Sequence, residues 1–167
     1  MTEHHLGARK LITLIPHGLG IFISAVFIDS LRYKFINHPK TETIFGILNE
    51  WAGTLGFPGL FSHEGVFSAY MIGSAELIAS VLLLIGIIPA LRTLQGLGAA
   101  LAFLIMTGAL SFHLFTPLGI DPNNDGGGLF ITACMVWGSS FVLMYVRRKD
   151  LVKLVRHGKP SDTQNRL

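Results

Sequence analysis

The chain has 167 residues, of which 50% are hydrophobic and 14% charged; its mean hydropathy is +0.55, whereas an ordinary soluble domain carries about 25% charged residues. That balance excludes a water-soluble globular domain and a disordered chain, and a lone cysteine, Cys134, excludes a disulfide scaffold. One compact membrane domain remains.

The first apolar run, residues 11–28, is interrupted only by Pro16 and His17 and, extended to residue 31, reaches the ~17 to 25 residues that a spanning helix needs, giving a first span of 11–31. Pro16 falls near the expected start, where a missing N–H matters little. Arg9 and Lys10 precede the run, as in a signal peptide, but it exceeds the usual length of about 7 to 15 residues and no small-residue cleavage site follows. It reads as a retained helix after a short N-terminal segment, residues 1–10. In the long loop that follows, Ile44, Leu48, Trp51 and Leu55 recur at helical spacing among Thr41, Glu42, Asn49 and Glu50. They predict a short amphipathic helix that lies on the membrane face or caps the bundle, ending at Gly56, Pro58 and Gly59.

The second span, residues 66–88, carries one acid, Glu76, near its centre. A short turn then makes the third span, residues 93–115, its antiparallel neighbour, with His113 as the sole ionisable side chain. The fourth, residues 128–146, has no Asp, Glu, Lys, Arg or His and one thiol, Cys134. The expected fold is all-α: an antiparallel bundle of four transmembrane helices with an amphipathic helix in the first outer loop. Residues 147–167 read as a basic tail, polar and disordered from 160 onward.

Lys and Arg sort by side. Arg9, Lys10, Arg92, Arg147, Arg148, Lys149, Lys153, Arg156, Lys159 and Arg166 fall on one side, against Arg32, Lys34 and Lys40 on the other. The positive-inside bias places both termini in the cytoplasm, with the spans in the cell membrane. The net charge of +3 thus points to an anionic lipid bilayer as partner and not to nucleic acid.

Helices in lipid associate through close packing and polar contacts, so small residues mark interfaces. Ala69, Gly73, Glu76 and Ser80 share a stripe on the second span; Gly98, Ala102, Ala109 and His113 share one on the third; Gly18, Phe22, Ala25, Asp29 and Arg32 align on the first. All the ionisable residues are therefore expected to face inward. An intramembrane acid costs about 2.5 to 3.5 kcal/mol and is paired or functional, which makes Glu76 the leading candidate. Asp29 and Arg32, three apart, can pair with each other, or Arg32 can reach Glu76. The expected polar centre joins Glu76, Arg32 and His113. Glu76 and His113 differ in depth by roughly 10 Å at helical rise, so a water, a ligand headgroup or Arg32 would have to bridge them. His17 reads as an interhelical hydrogen-bonding residue.

Other motifs carry less. Asp121, Asn123, Asp125 and Gly126 match the opening of a calcium loop, but its twelfth position is Thr132 where a bidentate Glu is needed, and Pro122 intrudes; an Asx turn explains them better. His4, His5, His38, His63 and His113 lack short ligand spacing. A haem between His17 and His113 would have to join opposite depths. Cys134 reads as a small packing residue. No phosphate loop, nucleophile elbow or dinucleotide fingerprint is present.

The segments 27–35, Phe-Ile-Asp-Ser-Leu-Arg-Tyr-Lys-Phe, and 73–86, Gly-Ser-Ala-Glu-Leu-Ile-Ala-Ser-Val-Leu-Leu-Leu-Ile-Gly, together with the four-span pattern over residues 11–146, resemble the DoxX-like family of small bacterial membrane proteins. That resemblance implies a four-helix bundle in the cytoplasmic membrane, a polar centre at Arg32 and Glu76, and a link to redox or sulfur metabolism through relatives that serve as the membrane subunit of a thiosulfate:quinone oxidoreductase. Two classes of function stay open. In one, a redox-linked subunit holds a quinone or other small molecule in the outer half of the bundle, with Glu76 and His113 exchanging protons. In the other, a non-catalytic subunit binds a partner protein or a second copy. A transporter is disfavoured by the lack of an inverted repeat.

Overall fold

The structure, a computed structural model, describes the backbone of residues 2–157 and the side chains of residues 14–154. The polar tail expected at 160–167 and the side chains of His4 and His5 lie outside the described residues. Within them the chain is helical without strands: α1 (Thr2–Lys34), α2 (Pro39–Thr54), α3 (Ala69–Ile85), a 3-10 turn (Pro89–Leu91), α4 (Arg92–Phe115) and α5 (Gly128–His157).

Three segments are long and apolar enough to cross a membrane: Leu14–Lys34, Pro89–Phe115 and Gly128–Leu154. Only 28%, 28% and 22% of their apolar windows are buried within the protein, so most of their side chains need an apolar surrounding. At 17 residues, α3 is about 26 Å long, short of a hydrocarbon core of roughly 30 Å.

Helices α1, α3, α4 and α5 pack in a ring in chain order, with α5 closing back onto α1. Each neighbouring pair runs antiparallel. Ser24 meets Ser80 while Ser30 meets Glu76; on α4, Gln95 lies beside Arg147 while Thr107 lies beside Trp137. Ile23 and Phe27, Ala79 and Leu83, Ala99 and Ala102, and Val136 and Leu143 contribute one core from the four helices.

Local sequence sets the boundaries. Pro39 opens α2 at its first turn, with the His38 ring accepting from the Lys40 N–H. Ser68 caps α3, its Oγ accepting from Met71 N at 3.3 Å. The turn between α3 and α4 depends on Gly86, where a Cβ would collide with the backbone of Gln95. Gly98 permits a second close approach, since a Cβ there would lie 2.9 Å from the Ala79 carbonyl and the Leu83 nitrogen.

Several boundaries differ from the sequence reading. The helix α1 begins at Thr2, so Pro16 stands in its interior, where it removes one N–H from the ladder. The last helix does not stop at 146 but runs to His157. The expected inward stripe on α1 is also rotated: Gly18, Ala25, Asp29 and Arg32 are exposed, and Pro16, Gly20, Ile23, Ser24 and Phe27 are buried. Bulk decides this, because Ile23 and Phe27 fill the ring's interior where the smaller Gly18 and Ala25 would leave voids. Helix α2 caps the bundle end, burying Leu48 and Ala52 against Phe61 and Leu118, with Phe112 alongside; Leu55 lies past its end and is exposed.

Two glycine replacements on α4 should separate propensity from packing. Gly108→Ala, where a Cβ meets nothing within 4 Å, should stabilise by about 0.8 kcal/mol. Gly98→Ala should destabilise by about 1 to 3 kcal/mol through overpacking. Unfolding of each variant in lipid or mild detergent checks the opposite signs.

Candidate functional site

Glu76 projects from the middle of α3 toward α1 and is 2% exposed. Lys34, in the last turn of α1, places its Nζ 2.8 Å from Glu76 Oε1 and 2.7 Å from Oε2, and 3.1 Å from Ser30 Oγ. An ammonium has three protons, and here three acceptors meet them. Ser30 Oγ lies 2.6 Å from Glu76 Oε2 and 2.8 Å from the Phe27 carbonyl; its single proton is drawn to the charged oxygen, the stronger acceptor. The knot is closed on itself. Both carboxylate oxygens are engaged, and contact with the exterior is left to Ser30 and the lysine, which are partly buried, the lysine at 16% side-chain exposure.

Arg32 does not reach Glu76. It pairs with Asp29 at 2.9 Å, with both side chains more than half exposed, and its Nη2 donates to the Tyr33 hydroxyl at 3.1 Å. One helical turn covers that short reach, whereas Glu76 lies on the face that Lys34 shares. His113 is buried but also stands apart: its Nδ1 lies 2.6 Å from the Gly119 carbonyl, and its ring packs edge-on to Phe130. A carbonyl only accepts, so Nδ1 carries the proton, and the imidazole ties down the start of the α4–α5 loop. The expected centre of Arg32, Glu76 and His113 is therefore replaced by one of Lys34, Glu76 and Ser30. The charge count sets Lys34 with Arg32 and Lys40 outside the spans, though Ile23, Phe27, Ser30 and Lys34 follow one another at steps of four, three and four, which is one helix face.

A second buried polar group lies at the opposite end. Arg147, assigned to the solvated tail by charge counting, is 7% exposed. Its Nε and Nη2 donate to Gln95 Oε1 at 2.8 and 2.6 Å, and Gln95 Nε2 donates to the Pro16 carbonyl at 3.3 Å. Three helices thus meet at one amide. His17, beside it on α1, has a buried Nδ1 without a partner.

Next to the Glu76 end, α2, the 55–68 loop and the start of α3 enclose a cleft of about 270 Å³. Thr41, Phe45, Asn49, Phe61, His63 and Tyr70 line it. Tyr70 stacks on Phe35 and meets His63 edge-on, and its hydroxyl donates to the Phe35 carbonyl at 3.3 Å. Phe35 in turn touches Gly73, one turn before Glu76, so the aromatic wall stands directly over the ion-pair knot.

The 121–126 turn is held by its own acids. Asp121 Oδ1 accepts from Asp125 N at 2.8 Å, and Asp125 Oδ1 from Gly128 N at 3.0 Å. The Asp125 N–H foremost, with those of Gly127 and Gly126, holds the Asp121 carboxyl below its ordinary value, so whatever the turn contributes is present above that value and fades as pH falls through the lowered one. Among the described residues no three His, Cys, Asp or Glu converge as metal ligands. Cys134 is exposed on the outer side of α5.

No family model, no curated protein and no solved structure matches this chain.

The ion-pair knot makes a direct prediction. Glu76→Gln should strand Lys34, and Lys34→Met should strand Glu76, each costing about 3 kcal/mol. The double variant should fall short of the sum by roughly 2 kcal/mol. Reversible unfolding of the four proteins measures the coupling; additive losses would show that the two groups act independently.

Proposed function

We propose that this chain is a DoxX-like integral membrane protein in which all four bundle helices cross the bilayer, and that it binds the flat polar headgroup of a small amphiphile, a quinone being the best-fitting class, in the cleft beneath α2. The observation that carries the binding reading is the cleft itself. Its aromatic walls offer stacking faces, while Asn49, His63 and Thr41 in its lining offer hydrogen-bonding groups. About 270 Å³ is at the small end for a ligand site and suits a headgroup whose tail remains in lipid.

Helix α3 follows α1 from the level of Lys34 at Gly73 to the level of Ser24 at Ser80, and its flanking residues 66–67 and 87–88 are apolar, which supports a fourth crossing. The family reading is supported by position: segments 27–35 and 73–86 are the two that supply Ser30, Lys34 and Glu76. The excess of Lys and Arg at the Gln95 and Arg147 end supports a cytoplasmic location for that end.

In this reading Glu76 is a structural acid, since both of its oxygens are already bonded, and any proton exchange with a bound headgroup falls to His63 and Tyr70. The same saturation favours a second reading, a non-catalytic membrane subunit that assembles with a partner protein.

One substitution separates the two. Gly46 borders the cleft, and a Cβ there meets nothing within 4 Å, so Gly46→Leu should fill the cleft and leave the fold intact. Titration of a short-tailed benzoquinone into the full chain in lipid nanodiscs should give saturable binding that this variant weakens by about tenfold or more. Absent or unchanged binding would leave the assembly reading. For topology, in a Cys134→Ala background, cysteines at Thr43 and Asn124 should label from outside intact cells, while those at Ala90 and Lys149 should label only after lysis. Labelling of Ala90 from the same side as Thr43 would remove α3 from the membrane-crossing set.

A further inference from the structure

The buried arginine at the far end of the bundle is unlike the lysine at the near end. Lys34 has a carboxylate, whereas Arg147 is held by the neutral amide of Gln95 through Nε and Nη2. Its Nη1 has no hydrogen bond among the described residues, although a guanidinium brings five protons in a fixed planar fork. Asp150, three residues along α5, acts on this charge but forms no ion pair with it among the described residues.

The surroundings add positive potential. Arg92, exposed at the start of α4, lies three residues before Gln95, and His17 follows Pro16, whose carbonyl accepts from Gln95 Nε2, so α4, α5 and α1 bring Arg92, Arg147 and His17 to the same end of the bundle around one amide. The buried Nδ1 of His17 has no partner. A buried cation and an orphaned ring nitrogen under a second arginine, at the rim of an apolar bundle, form an incomplete polar set. An anion with several acceptor oxygens would complete it.

We propose that Arg147, Arg92 and His17 form a binding site for a phosphate-type anion, which either a phospholipid headgroup or free phosphate can supply. Gln95 holds the Arg147 fork fixed, leaving its far edge for a phosphate oxygen, and the exposed Arg92 supplies a second cation from the start of α4. The apolar faces of α1 and α5 beside the site would receive acyl chains if the source is a lipid.

The full chain is reconstituted in phosphatidylcholine nanodiscs, in the same discs with about 20 mol% phosphatidylglycerol, and in the first discs with inorganic phosphate added; binding is read from retained lipid in native mass spectrometry and from Tm. A specific site predicts a Tm rise with one of the two anion sources. A response to phosphatidylglycerol alone identifies a lipid site; a response to phosphate alone identifies a free-anion site. Removing one surface cation near an anionic headgroup is worth about fivefold in affinity, so Arg92→Gln should weaken binding by at least that factor, while Lys149→Gln, on the exposed stretch of α5, should stay within about twofold. His17→Phe, which removes the orphaned nitrogen, should raise Tm in phosphatidylcholine alone and reduce the anion response. No response to either anion would overturn the proposal. Equal losses in Arg92→Gln and Lys149→Gln would overturn it as well, because diffuse surface charge would then explain the attraction.

Discussion

A carboxylate inside an apolar bundle is costly unless a cation meets it there, and the pairing of Lys34 with Glu76 sets the register of α1 against α3. Once that contact is made, Ser30 and Ser24 fall opposite Glu76 and Ser80, and Gly73 comes under Phe35. A shift of α3 by one residue would rotate Glu76 by about 100° and turn it off the face that Lys34 shares, leaving both charges unpaired. The same register fixes which face of α3 remains for α4, and there Gly98 accepts the Ala79 and Leu83 backbone. One ion pair thus orders three helices, and α5 follows through its seam with α4 and the Gln95–Arg147 bond.

The two ends of the bundle handle their polar groups in opposite ways. At the α2 end charge is neutralised internally and covered by a folded cap with its own small core around Leu48 and Phe61. At the other end no cap is present among the described residues, and the buried cation leans on a neutral amide. Low dielectric strengthens a completed pair and penalises an incomplete one in equal measure. The first end is thereby rigid, and the second keeps unmet bonding capacity that an external group can use.

The apolar runs made the helices legible, because a stretch of about twenty residues without charge has few other fates. Glu76 stood out for the same reason in reverse. Its partner did not, because Lys34 follows the end of the apolar run and was counted with the loop; only the four-three-four spacing from Ile23 places it on the inward face. Arg147 was hidden by a similar convention, since adding up cations for orientation treats each as solvated, and nothing local to residues 147–153 distinguishes the buried one from its neighbours. The existence of α2 was readable from its periodicity. Which of its two expected places it takes, the membrane face or the end of the bundle, was not, because its contacts come from Phe61, Phe112 and Leu118, which are remote from it in sequence or lie in irregular segments. The rotated stripe on α1 shows the limit of a small-residue rule when a competing face offers larger apolar side chains to fill the centre.

The unbroken length of α5 has a mechanical consequence. Thirty helical residues extend about 45 Å, well beyond a hydrocarbon core of roughly 30 Å, and the backbone helix of α1 overhangs the same end from Thr2. Arg147 sits near the point where α5 leaves the ring. A continuous helix has no hinge to absorb a push, so a force applied near His157 would reach Gln95 through Arg147, with the α4–α5 seam at Thr107 and Trp137 as the fulcrum. The overhanging helices make the least-covered end of the protein also the end from which the packed interior can most readily be moved.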